Sequence, residues 1–407
     1  MVSNKVNIRE LELGELENDI LNLGEKKFRA KQIFEWLWQK DAKTFEEMTS
    51  LSKELRDNLE NHYFIDHIVL TDQQISSDKT IKCAFTVDKN KVVEGVLIPT
   101  SSRTTACISS QIGCSLACKF CATGKLKLMR NLNAGEMVDQ VAHLKHLAES
   151  KYNTSLTNIV YMGMGEPLLN YKNMLRSVEL ITSEKGLGMS PKRITVSTAG
   201  IAKMIRKLGD DEVKFNLALS LHAANDKKRS EIMEINDSNN LETLKESLIY
   251  FYEKTNTRVT FEYIIFKDFN DSLEDAQELA EFAKCIPCKI NIIEYNPIED
   301  GFFQQADTAK VDNFAAFLEK RNLKQIENEI ETKTPFIEQI KKYAIEYSEK
   351  EKNLIDTQKN IAEIKNTNKK LTKNISNKKT ELSNNTLKIK NLETEIAKIA
   401  FIEIWSE

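Results

Sequence analysis

Three cysteines, Cys114, Cys118 and Cys121, stand in C-x3-C-x2-C spacing inside the stretch CISSQIGCSLACKFC, which begins at a fourth, Cys107. The 407-residue chain has seven cysteines, so this one loop holds more than half of them. An odd, clustered set is unlike an extracellular disulfide framework; in a reducing compartment it points to metal or redox chemistry. Three thiolates so spaced can wrap three corners of a [4Fe–4S] cubane and leave the fourth iron open to a small molecule. A structural zinc site wants a fourth ligand. None follows close by, since His143 and His146 fall in VAHLKHLAES, which reads as an ordinary solvated helix face.

Other polar residues sit where apolar runs stop. TTACISS, TNIVYMGMGEP, RITVSTAG, FNLALSLHA, VTFEYIIFKD and KINIIEYNP are strand-like runs separated by helical patterns across residues 101–323. Such alternation predicts βαβ units and a parallel sheet, and six runs in succession predict a partial, six-stranded β/α barrel of the α/β class. Barrels act at the C-terminal ends of their strands, where Cys114, Glu166, Ser197, His222 and Asn296 all fall. Any one of them alone reads as a strand-end turn residue; their joint placement is the argument.

The flanking regions differ in texture. Residues 1–65 carry apolar positions at three- and four-residue spacing in KKFRAKQIFEWLWQK and FEEMTSLSKELRDNLENHYF, which predicts a small helical domain. Residues 66–100 alternate apolar and polar, with a turn at DKN, and predict a short antiparallel sheet leading into the barrel. From 324 to 407 there is no glycine, no proline after Pro335, and a heptad lattice through Leu354, Ile361, Asn368, Ile375, Leu382, Ile389 and Ile396. That pattern predicts a long helical, coiled-coil-like extension able to self-associate. The N-terminus is polar and no run approaches the roughly 18 apolar residues of a membrane span, so a soluble cytoplasmic protein without a membrane partner is expected.

A net charge of −3 provides no global attraction for phosphates, so nucleic-acid binding must come from local patches. Lys26, Lys27, Arg29 and Lys31 beside Phe28, Phe34, Trp36 and Trp38 form one such patch, and Lys119, Lys125, Lys127 and Arg130 another. Basic residues with aromatics can hold phosphates and stack bases. At Ile33–Trp36–Leu37 spacing the tryptophans read as core, which leaves the lysines as the contacts.

In order along the chain, FRAKQIFEWLW, CISSQIGCSLACKFCATG, MGMGEPLLN, ITVSTAG, LALSLHA and IEYNP resemble the motifs of the radical S-adenosylmethionine adenosine-C2 RNA methyltransferases, the RlmN and Cfr group. The resemblance covers roughly residues 10–323. It implies a [4Fe–4S] cluster on Cys114, Cys118 and Cys121. S-adenosylmethionine would be held by Gly165, Glu166, Ser197, Ser220, Leu221, His222 and Asn296, Glu166 meeting its amino group. It implies methylation of adenosine C2 in 23S ribosomal RNA and transfer RNA, and an electron donor to drive it. Glu94, in VVEGVLIP, matches the family's proton acceptor, a role that calls for a partly buried carboxylate with a raised pKa. Cys107 matches the thiol that resolves a covalent protein–RNA link by attacking a methyl-carrying cysteine, leaving a disulfide.

That methyl-carrying cysteine belongs beyond the last barrel element, and no cysteine follows Cys288. Three accounts are open: a fused or altered C-terminal reading, a natural variant without methyl transfer, or a substitute thiol. Cys285 and Cys288 are the downstream candidates for the last and are expected to pack away from the site. Beside the methyltransferase stand two alternatives, a radical enzyme of the same superfamily that uses no methylcysteine, and a non-catalytic RNA-binding or coiled-coil assembly protein.

Overall fold

The structure of the protein, a computed structural model, describes residues 5–88, 91–298 and 301–332, together with Leu371. The chain divides into two units, Met1–Arg321 and Asn322–Glu407. The heptad lattice lies outside the described residues, Leu371 excepted, as do Lys89 and Asn90 of the expected turn.

A short strand β1 (Val6–Asn7) opens the chain. Three amphipathic helices follow: α1 (Leu13–Asn22) buries Leu16 and Ile20, α2 (Phe28–Trp38) buries Ile33, Phe34, Leu37 and Trp38, and α3 (Lys53–His62) buries Leu55 and Leu59. Each set repeats at three or four residues and so forms one apolar stripe. Ser52 caps α3 by accepting from the Leu55 N–H at 3.2 Å. Strand β2 (Tyr63–Phe64) pairs in parallel with β1 and closes the helical part on itself. Arg9 fastens it to the barrel through two bonds to Asp139, at 2.6 and 2.9 Å. Burial alone would raise the Asp139 pKa, but the Arg9 guanidinium outweighs it and the carboxyl titrates below its ordinary value. The tryptophans divide: Trp38 is buried, whereas Trp36 is half-buried, donates to Ser50 Oγ at 2.8 Å and lies under the Lys40 ammonium.

Strands β3 (Val69–Ile75), β4 (Ile81–Asp88) and β5 (Lys91–Pro99) are antiparallel, as their alternation requires. They do not stand apart as a separate small sheet. β5 bonds directly to β6 (Thr104–Cys107), so they extend the barrel sheet to nine strands. After a small hairpin, β7 (Gln111–Ile112) with β8 (Arg130–Asn131), come α4 (Ala134–Tyr152), β9 (Asn158–Tyr161), α5 (Tyr171–Thr182), β10 (Ile194–Thr198), α6 (Ala202–Asp210) and β11 (Asn216–Ser220). Then follow α7 (Asp226–Ile232), α8 (Leu241–Thr255), β12 (Val259–Ile265), α9 (Leu273–Ala283), β13 (Cys288–Glu294) and α10 (Thr308–Thr332).

β6 and β9 to β13 are parallel and adjacent in chain order. Winding in one direction with a helical crossover each time is the arc of a barrel rather than a doubly wound sheet. One face of the sheet, including Val93, Leu97, Ala106, Ile159, Val196, Leu217, Leu219 and Phe261, is wholly buried. At about 1.5–3 kcal/mol per large side chain, that face fixes the register. Residues directly opposite in neighbouring strands share a face. The ladder pairs Val96 with Cys107, Cys107 with Val160, Ser197 with Ala218, Ser220 with Glu262, and Glu262 with Asn291. The other face therefore carries Glu94, Cys107, Ser197, Ser220, Glu262 and Asn291 together. Among the described residues, no helix is long and apolar enough to cross a membrane.

Candidate active site

The cysteine loop is closed at its base by the β7–β8 pairing, Gln111 opposite Asn131 and Ile112 opposite Arg130. Within it the Cys114 N–H donates to the Leu126 carbonyl at 3.2 Å, and Cys121 to Cys118 at 3.1 Å. Gly113, at φ +76°, lies against the Lys127 carbonyl where any side chain would collide. Lys119 anchors the loop to the end of α7 by donating to the Ile232 carbonyl at 3.0 Å.

Cys114, Cys118 and Cys121 all line a cavity of about 270 Å³, with Gly165, Glu166, Ser197, Ser220, His222 and Glu262 around it. Burial, then repulsion from Cys121 and Cys114, pushes the Cys118 thiol up to about 12; burial raises Cys114 as well. Thiols in such a setting give up their protons to a metal rather than to water. Among the described residues no three acidic, histidine or cysteine side chains close around one point. The three thiols share a wall, not a finished coordination sphere. A wider groove of about 480 Å³ runs past Glu12, Phe34 and Arg176, but no thiol or histidine lines it.

The GMGEP turn needs both its glycines. A Cβ on Gly163 would meet the Ile108 backbone, and Gly165, at φ +94°, packs on the Gln111 side chain. Glu166 is 3% exposed and already engaged: Oε1 accepts from the Leu168 N–H at 3.0 Å, Oε2 from the Ala199 N–H at 2.7 Å. Burial still pushes its carboxyl up to about 7. It joins the ends of β9 and β10 and keeps lone pairs for a donor in the cavity.

Ser197 Oγ and Ser220 Oγ are 3.4 Å apart across β10 and β11. His222 follows at φ +55°, a conformation few non-glycine residues adopt, held where its carbonyl accepts from Asn270 at 2.7 Å. Its Nδ1 accepts the Ile264 N–H at 3.1 Å, and burial lowers its pKa to about 3, so the ring is neutral. Phe120 of the cysteine loop packs edge-on to that ring, centroids 4.7 Å apart.

Four assigned residues do not line the cavity. Leu221 is fully buried, its N–H given to the Glu262 carbonyl at 3.0 Å. Asn296 is exposed beyond β13. Cys107 lies on β6, on the face that leads to the cavity, its thiol pushed up to about 11 by burial. Glu94, on β5 of that same face, is about half exposed and paired with Lys82 at 2.6 Å. Cys285 and Cys288 also lie off the cavity; Cys288 is the first residue of β13.

Two residues escaped the sequence reading. Arg229 is wholly buried, and it donates to the carbonyls of Ala199 at 2.6 Å, Ser220 at 3.2 Å and Leu221 at 3.2 Å, and to Asn236 Oδ1 at 2.9 Å. It ties together the strand ends that carry the site. Nothing local in KKRSEI announces this. Glu262, the one acid within VTFEYII, did carry a signal: a charge inside an otherwise buried strand.

Residues 6–65 match the family described as the ribosomal RNA large subunit methyltransferase N-terminal domain, and residues 108–283 match the radical SAM superfamily. The probable dual-specificity RNA methyltransferase RlmN of Cytophaga hutchinsonii is 55% identical over 316 residues, covering 78% of this chain and 87% of that protein. Its counterpart in Christiangramia forsetii is 52% identical over 319 residues, covering 78% and 91%. A radical SAM methyltransferase of known structure from Sphaerobacter thermophilus superposes with a TM-score of 0.73 at 36% identity, covering 78% of this chain and 93% of that one. The cofactors of this family are a [4Fe–4S] cluster and S-adenosylmethionine, and the donor set fits them: three soft thiols on one wall of a cavity whose other walls carry carboxyl and hydroxyl groups. The chain belongs to the radical SAM RNA methyltransferases of the RlmN family.

Proposed function

We propose that this chain methylates C2 of adenosine in 23S ribosomal RNA and transfer RNA. The observation that carries the reading is the gathering of Cys114, Cys118, Cys121, Glu166, Ser197, Ser220 and His222 around one cavity, although they come from the cysteine loop and three successive strand ends. The three thiols would hold the cluster. Bound there and reduced by one electron from a donor, the cluster and S-adenosylmethionine would supply radical chemistry. Glu166 receives the cofactor's amino group on its spare lone pairs. Ser197, Ser220 and neutral His222 give hydrogen bonds that need no charge.

Cys107, as the resolving thiol, and Glu94, as the proton acceptor, share the sheet face that leads out of the cavity. Lys82 pairs with Glu94 at 2.6 Å from the neighbouring strand. An electron donor starts the reaction, and residues 324–407 mediate self-association.

The test is anaerobic reconstitution of the full chain, with 5′-deoxyadenosine and C2-methyladenosine assayed together. Both products are expected. No deoxyadenosine would overturn the assignment of the cavity. Deoxyadenosine without methyladenosine would support the second reading, a cofactor-cleaving enzyme without methylcysteine chemistry. Sedimentation of the full chain and of a chain ending at residue 323 tests self-association; equal association states would remove it.

A further inference from the structure

Four adjacent strands present polar side chains to the same face in one row: Ser197 on β10, Ser220 on β11, Glu262 on β12 and Asn291 on β13. Glu262 is the acid among them. It is 7% exposed and lines the cavity. Its Oε2 accepts from Asn291 Nδ2 at 2.7 Å, while among the described residues nothing donates to Oε1. Burial raises its pKa, with the Asn291 bond opposing. A carboxylate so far withdrawn from water and short of one donor is costly unless something in the cavity supplies the hydrogen.

We propose that Glu262 receives the vicinal hydroxyls of a ribose, that of the S-adenosylmethionine nucleoside. This rests on the reading of the cavity as the cofactor site. Glu166 is bonded to the end of β10, two strand spacings or roughly 10 Å from β12. A single ammonium cannot meet both carboxylates, so Glu262 faces another part of the ligand. Its one partner is a neutral amide, and no cation lies within ion-pair distance of it among the described residues. That setting suits neutral donors, and an acid on paired ribose hydroxyls is a recurring solution in nucleotide sites. An internal RNA nucleotide has its 3′ oxygen esterified and offers one hydroxyl; the cofactor offers two.

The experiment is equilibrium binding of S-adenosylmethionine and of its 2′-deoxy analogue to the cluster-loaded full chain and to Glu262→Ala and Glu262→Gln. The unsubstituted chain is expected to prefer S-adenosylmethionine by about tenfold, and Glu262→Ala to lose that preference by binding the natural cofactor about tenfold more weakly. Glu262→Gln keeps the volume and a partner for Asn291, and is expected to lose about fivefold. An undiminished preference in either variant overturns the proposal and leaves the cavity assignment standing. Unchanged cofactor binding with RNA affinity lost assigns the carboxyl to an RNA 2′-hydroxyl and also overturns it. If the unsubstituted chain binds no S-adenosylmethionine, the cavity assignment falls and takes the proposal with it.

Discussion

Burial sets what each ionisable group of the site can do. Cys107, held near 11, keeps its proton at neutral pH, yet attack on a sulfur requires the thiolate. Its alkylation, followed by peptide mass spectrometry, is expected to quicken about tenfold per pH unit from pH 7 up to about 11. Levelling off near pH 8.5, as for an ordinary thiol, would contradict this. Glu166 makes a second case. Its folded pKa of about 7 lies above the ordinary 4.5, so its contribution to stability is complete below pH 4.5 and is lost as the pH rises through 7. Glu166→Gln removes that dependence. The stability gap between the two proteins is expected to move in favour of the variant between pH 4.5 and 7, by about 3 kcal/mol, and to be flat above. Urea titrations across that range read it directly. At this scale the thiols, Glu166, Ser197, Ser220 and His222 were legible because each sits in a short motif at a strand end. The pairing of Glu94 with Lys82 was not, because Lys82 comes from another strand and only the register brings the two together.

At the scale of elements, the site is a set of strand ends held level. Arg229 holds three of their carbonyls from behind, and among the described residues no carboxylate lies within ion-pair distance of it. Arg229→Met is expected to cost about 3 kcal/mol in chemical denaturation; a change below half a kcal/mol would show that the strand ends keep their places unaided. Gly165→Ala meets both a left-handed backbone and the Gln111 side chain, and is expected to cost about 2 kcal/mol or more and to weaken cofactor binding. Normal binding to a normally stable variant would contradict it. The six parallel strands could be read from apolar runs and their helical spacers. The union of β3, β4 and β5 with them could not: alternation tells which residues share a face, but not which strand lies beside which.

For the molecule as a whole, charge separates two basic regions. On α2 and just before it, Lys26 and Lys31 are exposed, while Lys27 is tied to Glu17 at 2.9 Å and Arg29 stacks on Phe28. On the cysteine loop, Lys119 and Lys127 are exposed beside Leu126, Leu128 and Met129. With a net charge of −3, RNA must be held by such patches. Affinity is expected to fall steeply between low and physiological salt, and Lys119→Ala with Lys127→Ala to reduce the logarithmic slope by about one to two. A slope unchanged by the pair would place the phosphates elsewhere. Composition announced that patches were needed, but folding decided which of their cations stay open and which are spent on Glu17 and Glu25.

The closed base of the cysteine loop bears on how the enzyme is made. Its ends are joined by the β7–β8 pair, its middle is pinned at Ile232, and Phe120 rests on His222, all by groups of the polypeptide itself. The ordering of the three thiols on one wall is thus shared by the chain's own contacts and does not fall to the iron alone.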